Sequence, residues 1–242
     1  MDKLIKFFDD FVFHARVMPV LTAMFPIIVL GVFKGFIYKD FLDISLYAFV
    51  LLIFIALASK IARECGKRYE TKMYDELGGK PTTIILRYSD CTIDNITKTR
   101  YHKVLNEKIS DIHLPLNPDE EDQESDIMYS SSMTYLRKYA NSNRDVEPRV
   151  YQELKEYNYW RNLYGCKWIS IIIYLLIAIR EIIIIDSFNV RNIFLKPYPE
   201  YIAFLLMIIG IAIMCIFVSK KTVKRRAFDY AKTLAEVCER LN

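Results

Sequence analysis

Four long apolar runs constrain this chain more than any other feature: Val17–Ile37, Phe41–Ala58, Trp168–Ile185 and Tyr201–Val218. Each is long enough to cross a hydrocarbon core about 30 Å thick as an α-helix. The last carries no charge between its ends, and the first carries Pro19, Pro26 and Lys34. A spanning helix tolerates such prolines where neighbours or water satisfy the carbonyls they leave without donors. The runs pair as two hairpins separated by a long polar stretch. The expected fold class is therefore an all-α integral membrane protein, with two transmembrane hairpins (four spans) flanking a small helical cytoplasmic domain. The segments expected are an amphipathic N-terminal piece (1–16), hairpin one (17–58), the helical domain (59–164), hairpin two (165–218) and a C-terminal helix (219–242).

The third run holds a charged pair, Arg180 and Glu181, followed by four isoleucines. Arg180 lies about 18 Å along the helix from Trp168, past the bilayer midplane. Ionisable groups at that depth are costly and face a protein interior or water. Arg180 has an alternative, snorkelling to the far headgroups on its long stem. The shorter Glu181 requires a partner or water. Lys34, near the end of the first run, lies at a comparable depth, so a Lys34–Glu181 pair within or between subunits is one expectation. A snorkelling Lys34 is the other. Lys34, Arg180 and Glu181 are the candidate pore or intramembrane charges.

Orientation follows from the loops. Lys220, Lys221, Lys224, Arg225 and Arg226 follow the fourth run directly, and Lys60, Arg63, Lys67 and Arg68 follow the second. By the positive-inside rule both segments are cytoplasmic, which places both termini and the central region there. The start, MDKLIKFFDDFVFHARV, mixes acids with bases and offers no cleavage site, so the first span is expected to be retained. The spacing of Leu4, Ile5, Phe7, Phe8, Phe11 and Val12 suits a short interfacial helix or an extension of the first span. Gly31 and Gly35 form a GxxxG, a motif that permits close helix approach.

Between the hairpins the chain reads as helices. Ile61, Cys65, Tyr69, Met73 and Leu77 recur every four residues, extending the second span to a stop at Gly78-Gly79. A short helix is expected over Pro81–Arg87, a strand there being the alternative. Further helices are expected over Asp94–Lys108, from about Glu120 to Tyr139, and from Val150 into the third span. Asp111–Asp126, with seven acids and no base, is expected to be an exposed loop. In the tail, Val223, Ala227, Tyr230, Leu234, Val237 and Leu241 alternate steps of four and three, a heptad seam. It serves either a self-associating bundle or packing on the chain's own central domain.

No enzyme constellation is present: there is no Walker loop, GxSxG, HExxH or kinase signature. The five cysteines lack CxxC spacing and the three histidines lack a ligand pattern, so neither metal nor cofactor is expected. With only seven glycines, a glycine-built phosphate loop is not expected. One stretch carries residues suited to a phosphate or base: Arg87 and Tyr88, then Lys98, Arg100, Tyr101, His102 and Lys103. Arginine forks onto phosphate and tyrosine stacks on bases. Across residues 60–108, eleven Lys/Arg stand against seven Asp/Glu. The alternative is a solvated helix face beside an acidic inner leaflet.

This layout, together with LGGKPTTIILRYSD and TKTRYHK, resembles the small four-span transmembrane effectors of bacterial antiphage defence systems, most closely the membrane effector of the Hailong system. The resemblance implies a homo-oligomeric, channel-like effector that disrupts inner-membrane integrity or potential. It also implies regulation by a nucleotide or oligonucleotide made by a partner nucleotidyltransferase, with Arg87, Tyr88, Arg100 and Tyr101 at the matching ligand positions. The competing expectation, from the residues alone, is a membrane-anchored scaffold or sensor that recruits a soluble partner and conducts nothing.

Overall fold

A computed structural model describes residues 10–38, 41–122, 124–187 and 198–241, with side chains over 34–48 and 186–199 outside the described set. Every regular element among the described residues is helical. Helix α1 (Asp10–Val12) passes through a π-helical turn, Phe13–Val17, into α2 (Met18–Tyr38). Helix α3 spans Phe41–Leu77, and the short α4 spans Pro81–Ile84. Then come α5 (Asn95–Lys108), a 3-10 turn (Pro118–Glu120) and α6 (Ser125–Ser142). Helix α7 (Pro148–Ser187) is followed by α8 (Tyr198–Phe217), α9 (Lys220–Ala235) and a closing 3-10 turn, Glu236–Arg240.

Among the described residues, three helical stretches are long and apolar enough to cross a membrane: Asp10–Phe33, Pro148–Ile185 and Glu200–Phe217. They carry three of the four expected spans. The expected second span falls on α3, whose first eight side chains lie outside the described set. Residues 1–9, which hold most of the expected interfacial helix, also lie outside it. The described part of that segment, Asp10–Val12, is helical and leads into α2.

The chain forms two compact units, one from residues 1–69 and 159–222, the other from 70–158 and 223–242. In the first, α2, α3, α7 and α8 share an apolar core that includes Val20, Met24, Leu30, Ile55, Ala62, Ile171, Tyr174, Ala203, Met207 and Met214. Outward faces of the same helices expose Phe25, Leu52, Leu57, Ile172, Leu176, Ile183, Leu205 and Ile216. Apolar residues both inside and outside are what a bilayer-embedded bundle requires.

The prolines of the first run are accommodated as helix chemistry demands. Pro19 has no N–H to offer the Ala15 carbonyl four residues back. The chain widens there into the π turn, and Asn162 Nδ2 donates to Ala15 O at 2.6 Å. Of the GxxxG, Gly35 lies outside the described side chains, and Gly31 is not a point of close approach. A Cβ at Gly31 would meet nothing within 4 Å. A Cβ at Gly165 would lie 2.5 Å from both Ala62 O and Gly66 N, so α3 and α7 cross backbone to backbone.

The four-residue repeat along α3 does not describe one buried face. Met73 is 2% exposed and Ile61 is 53% exposed. A step of four advances about 40° beyond a full turn, so three steps carry the stripe about 120° around the helix. Ala62, Gly66 and Met73 follow the helical period and are buried.

In the second unit the expected elements form with adjusted ends. The stretch after the glycines is helical at Pro81–Ile84, with Pro81 at its first turn. Gly78 (φ 70°) and Gly79 (φ 152°) make the stop. Asp94 caps α5 by accepting from Thr97 N at 2.9 Å. The acidic loop is held by its own acids rather than solvated throughout. Glu120 Oε2 accepts from Leu116 N–H, and Asp122 Oδ1 accepts from the N–H groups of Glu124 and Ser125, starting α6. The Ser125 hydroxyl, which also donates to Asp122 Oδ1 at 2.8 Å, holds the Asp122 carboxyl below its ordinary pKa together with those N–H groups, and the Leu116 N–H does the same for Glu120. Ile112 and Leu114 of this segment are buried.

The heptad positions Val223, Ala227, Tyr230, Leu234, Val237 and Leu241 are all buried within this unit. The chain's own residues occupy the seam that self-association would have used. Tyr157 stacks on Tyr230 with ring centroids 6.5 Å apart, and Arg137 Nε donates to the Tyr230 hydroxyl at 3.4 Å. The α-helical register also ends at Ala235, where the 3-10 turn begins.

Candidate functional site: charges inside the apolar unit and in the helical unit

On a helix, neighbouring residues point about 100° apart. Arg180 and Glu181 therefore face different surroundings. Glu181 is 0% exposed and continues the buried face of α7 beyond Tyr174 and Ala178. The Arg180 side chain is 63% exposed, beside the exposed Ile179 and Ile183. Its guanidinium reaches back so that Nη1 donates to Glu181 Oε1 at 2.7 Å. The carboxylate thus gains a charge-assisted bond that lowers the cost of its burial. The expected Lys34–Glu181 pair falls on a side chain outside the described residues.

The seven residues read as a ligand stretch do not form one surface. Arg87 is bound by the protein: Nε and Nη2 fork onto Asp126 at 2.8 and 2.5 Å, and Nη2 also donates to Gly78 O at 2.8 Å. The bonded carboxylate raises its pKa further. Tyr88 is buried, with its hydroxyl 2.9 Å from Thr99 Oγ1 and its N–H donating to Glu121 Oε1 at 3.1 Å. Tyr101 is buried and donates to Glu239 Oε1 at 2.9 Å, and burial pushes its pKa up. Arg100 is exposed and meets the same carboxylate at 3.2 Å. Lys103 is exposed. Arg100 and Lys103 are therefore the two cations of the set that face solvent.

Lys98 and His102 are core residues. Lys98 is 0% exposed, and its ammonium donates to Arg87 O at 2.7 Å and to Asp90 O. It closes the turn between α4 and α5, and burial lowers its pKa. Lys98→Met keeps the volume but strands two carbonyls. We expect the variant to lose about 2 kcal/mol of unfolding free energy, read as a lower urea midpoint for the helical unit.

His102 packs between Tyr88 and Tyr129, ring centroids 5.3 and 5.2 Å away, with Nδ1 2.7 Å from Pro115 O. Burial lowers its pKa, so the folded state favours neutral imidazole. Above the unfolded value of about 6.5, neither state binds the proton and stability is full. As pH falls through that value the unfolded chain takes the proton first, and stability declines toward the lower folded pKa. We expect the melting temperature to drop as pH falls below about 6.5. His102→Gln should flatten that drop, leaving the losses below about pH 4 that belong to Glu120 and Asp122.

Several residues escaped the sequence reading. Glu200 opens α8 and is 6% exposed, and its Oε2 is buried without a hydrogen-bond partner. An acid ahead of an apolar run reads as a helix-start residue, so nothing in the sequence marks it as buried. Asn162 and Tyr174 bond across to α2 backbone carbonyls and to the turn before it. Glu147 is 0% exposed and holds Arg240 with two bonds. Among the described residues, no group of three or more His, Cys, Asp or Glu is placed to hold a metal ion. No protein-family model, curated protein or solved structure matches the chain.

Proposed function

We propose that the chain is a membrane effector. Four spans of the apolar unit sit in a bacterial inner membrane with both termini cytoplasmic. Several copies assemble, and together they let charge cross the bilayer and lower its potential. The helical unit regulates this step. The observation that carries the reading is Glu181, a fully buried carboxylate in a spanning helix, paired to an arginine that projects among exposed isoleucines. A guanidinium facing lipid near the bilayer centre costs about 3 kcal/mol, and a second copy or a water-filled seam between copies removes that cost. The buried heptad face leaves the membrane helices as the self-association surface.

A regulatory anion, a nucleotide or oligonucleotide from a partner nucleotidyltransferase, would dock on the solvent face of α5. Arg100 and Lys103 offer the cations there, and Arg87, Lys98 and His102 support that face from within. The test is membrane potential in bacteria after induced expression. The unsubstituted chain should depolarise the cells, and Glu181→Ala should lower the effect at least tenfold at equal membrane abundance. Equal depolarisation by both would remove Glu181 from the mechanism.

A second reading, a non-conducting scaffold, rests on a different observation. Ile96 and Ile127 stand 84% and 72% exposed on the helical unit, two apolar side chains that a soluble partner would cover. Absence of depolarisation, together with capture of a partner that Ile96→Lys and Ile127→Lys abolish, would favour it.

A further inference from the structure

A groove of about 580 Å³ opens on the helical unit between the start of α4 and α6, within the size range of small-molecule sites. Lys80 and Thr83 line it from the α4 side. Ile127, Ser130, Ser131 and Thr134 line it from α6, where their spacing keeps them within about 100° of one another around the helix. Both sides belong to the one compact unit formed by 70–158 and 223–242.

The fold leaves the polar groups of this groove unused. In α6 the Ser132 hydroxyl donates to Met128 O and the Thr134 hydroxyl to Ser130 O, both at 2.9 Å, one turn back on the same helix. Among the described residues, the hydroxyls of Thr83, Ser130 and Ser131 make no hydrogen bond, and no carboxylate lies within 4 Å of the Lys80 ammonium. Serine is a weaker helix former than alanine, yet α6 carries three in a row, of which Ser132 alone is buried. An exposed serine is ordinarily hydrated, and each of these taken singly calls for nothing more. Here three free hydroxyls, one ammonium and an isoleucine 72% exposed converge on a single concavity. A few polar groups aimed at one apolar surface are the ordinary makings of a ligand site.

The charges set the chemistry of that ligand. Asp126 also borders the groove, and its carboxylate balances Arg87, whose Nη2 stands 2.9 Å from where a Cβ on Gly79 would be. Lys80 is therefore the net charge of the groove, a point charge suited to one phosphate. The Asp126 side chain is 44% exposed, so its carboxylate keeps lone pairs able to accept from hydroxyl groups. Ile127 offers a surface for C–H groups. We infer that the groove binds a phosphorylated sugar. The phosphate meets Lys80 and the Ser131 hydroxyl, the ring covers Ile127, and the ring hydroxyls bond with Thr83, Ser130 and Asp126. Such a ligand joins α6 to the chain directly after the Gly78-Gly79 stop that ends α3. The site stands apart from the effector reading and from the Arg100–Lys103 face of α5.

The test uses the full chain in detergent micelles, with ribose 5-phosphate as the probe and ribose and inorganic phosphate in parallel. Ribose 5-phosphate should bind saturably, with a Kd below about 1 mM, and slow hydrogen exchange at Thr83 and across 127–134. Ribose and inorganic phosphate should each bind at least tenfold more weakly. Lys80→Gln should weaken binding at least tenfold and Ser131→Ala at least threefold, with the melting temperature of the free protein unchanged. Lys232→Gln, which removes an exposed charge of α9 outside the groove, should leave binding as it is. Equal binding by Lys80→Gln and the unsubstituted chain would overturn the site. Inorganic phosphate binding as tightly as ribose 5-phosphate would overturn the sugar. Protection confined to α5 would overturn the groove and assign the anion to Arg100 and Lys103. No saturable binding would overturn the inference outright. None of these readouts uses membrane potential, so the effector reading stands or falls separately.

Discussion

Gly165→Leu is expected to abolish the folded apolar unit. At this position even the first side-chain atom has no room: a Cβ would stand 2.5 Å from Ala62 O and Gly66 N and 3.0 Å from Gly66 Cα. All three neighbours are backbone of α3, which cannot rotate aside as a side chain does. Gly66 faces the same constraint from the other side, where a Cβ would lie 2.9 Å from Arg161 O. Relief requires the two helices to separate, opening the core that holds Ala62, Leu163 and Cys166. Overpacking costs about 1–3 kcal/mol where side chains can yield, and a backbone collision should exceed that range. Gly165→Ala should already lower the melting temperature in detergent by at least about 6 °C, and Gly165→Leu should prevent accumulation in the membrane. Gly31→Ala is the matched comparison. Open space surrounds Gly31, so its replacement should be neutral or gain up to about 1 kcal/mol from helix propensity. Equal melting of Gly165→Ala and Gly31→Ala would disprove the crossing.

Arg240→Ala should destabilise the helical unit more than Glu147→Ala, although both remove the same ion pair. Glu147 is fully buried, and its two oxygens accept from Arg240 Nε and Nη2 at 2.6 and 2.5 Å. The Arg240 side chain is 48% exposed, and the carboxylate holds its pKa above the ordinary value. Without Glu147, the guanidinium turns to water. Without Arg240, a carboxylate stays buried with its charge uncompensated, at a cost of about 3–5 kcal/mol. The expected asymmetry is therefore more than about 1 kcal/mol. Hydrogen exchange reads it directly: amides of Glu236–Arg240 and of the first turn of α7 should exchange fastest in Arg240→Ala. Equal protection in the two variants would show that the pair is not the anchor of the tail.

Burial also divides the cations of the 87–103 stretch into two bound within the protein and two facing solvent. Arg87, Lys98, Arg100 and Lys103 are equally basic as letters. Lys98 extends its stem inward to meet carbonyls of the preceding turn, Arg87 forks onto Asp126, and the other two remain outside. The carboxylates and carbonyls that draw the first two inward come from segments up to 39 residues away. No local pattern encodes such partners. The 111–126 segment likewise supplies Glu121 and Asp126, which hold Tyr88, Tyr129 and Arg87.

Properties that depend on a residue and its near neighbours were determined by the sequence alone. Apolar runs of spanning length follow from side-chain transfer free energy, which is local and additive. Helix ends at Gly78-Gly79 and Asp94 follow from backbone freedom and capping, which act over three or four residues. The tertiary structure decided which face each helix buries. One heptad face of α9 suits a partner copy and the chain's own core equally well, and packing selected the core. A GxxxG at 31–35 and lone glycines at 66 and 165 are all permissive, and only the course of α3 and α7 brings the lone pair together. Lys167 and Val218 lie 51 residues apart in the chain, and the antiparallel course of α7 and α8 brings the Lys167 ammonium to 2.7 Å from Val218 O. Long-range contact supplies that information, because burial is a property of what a residue meets.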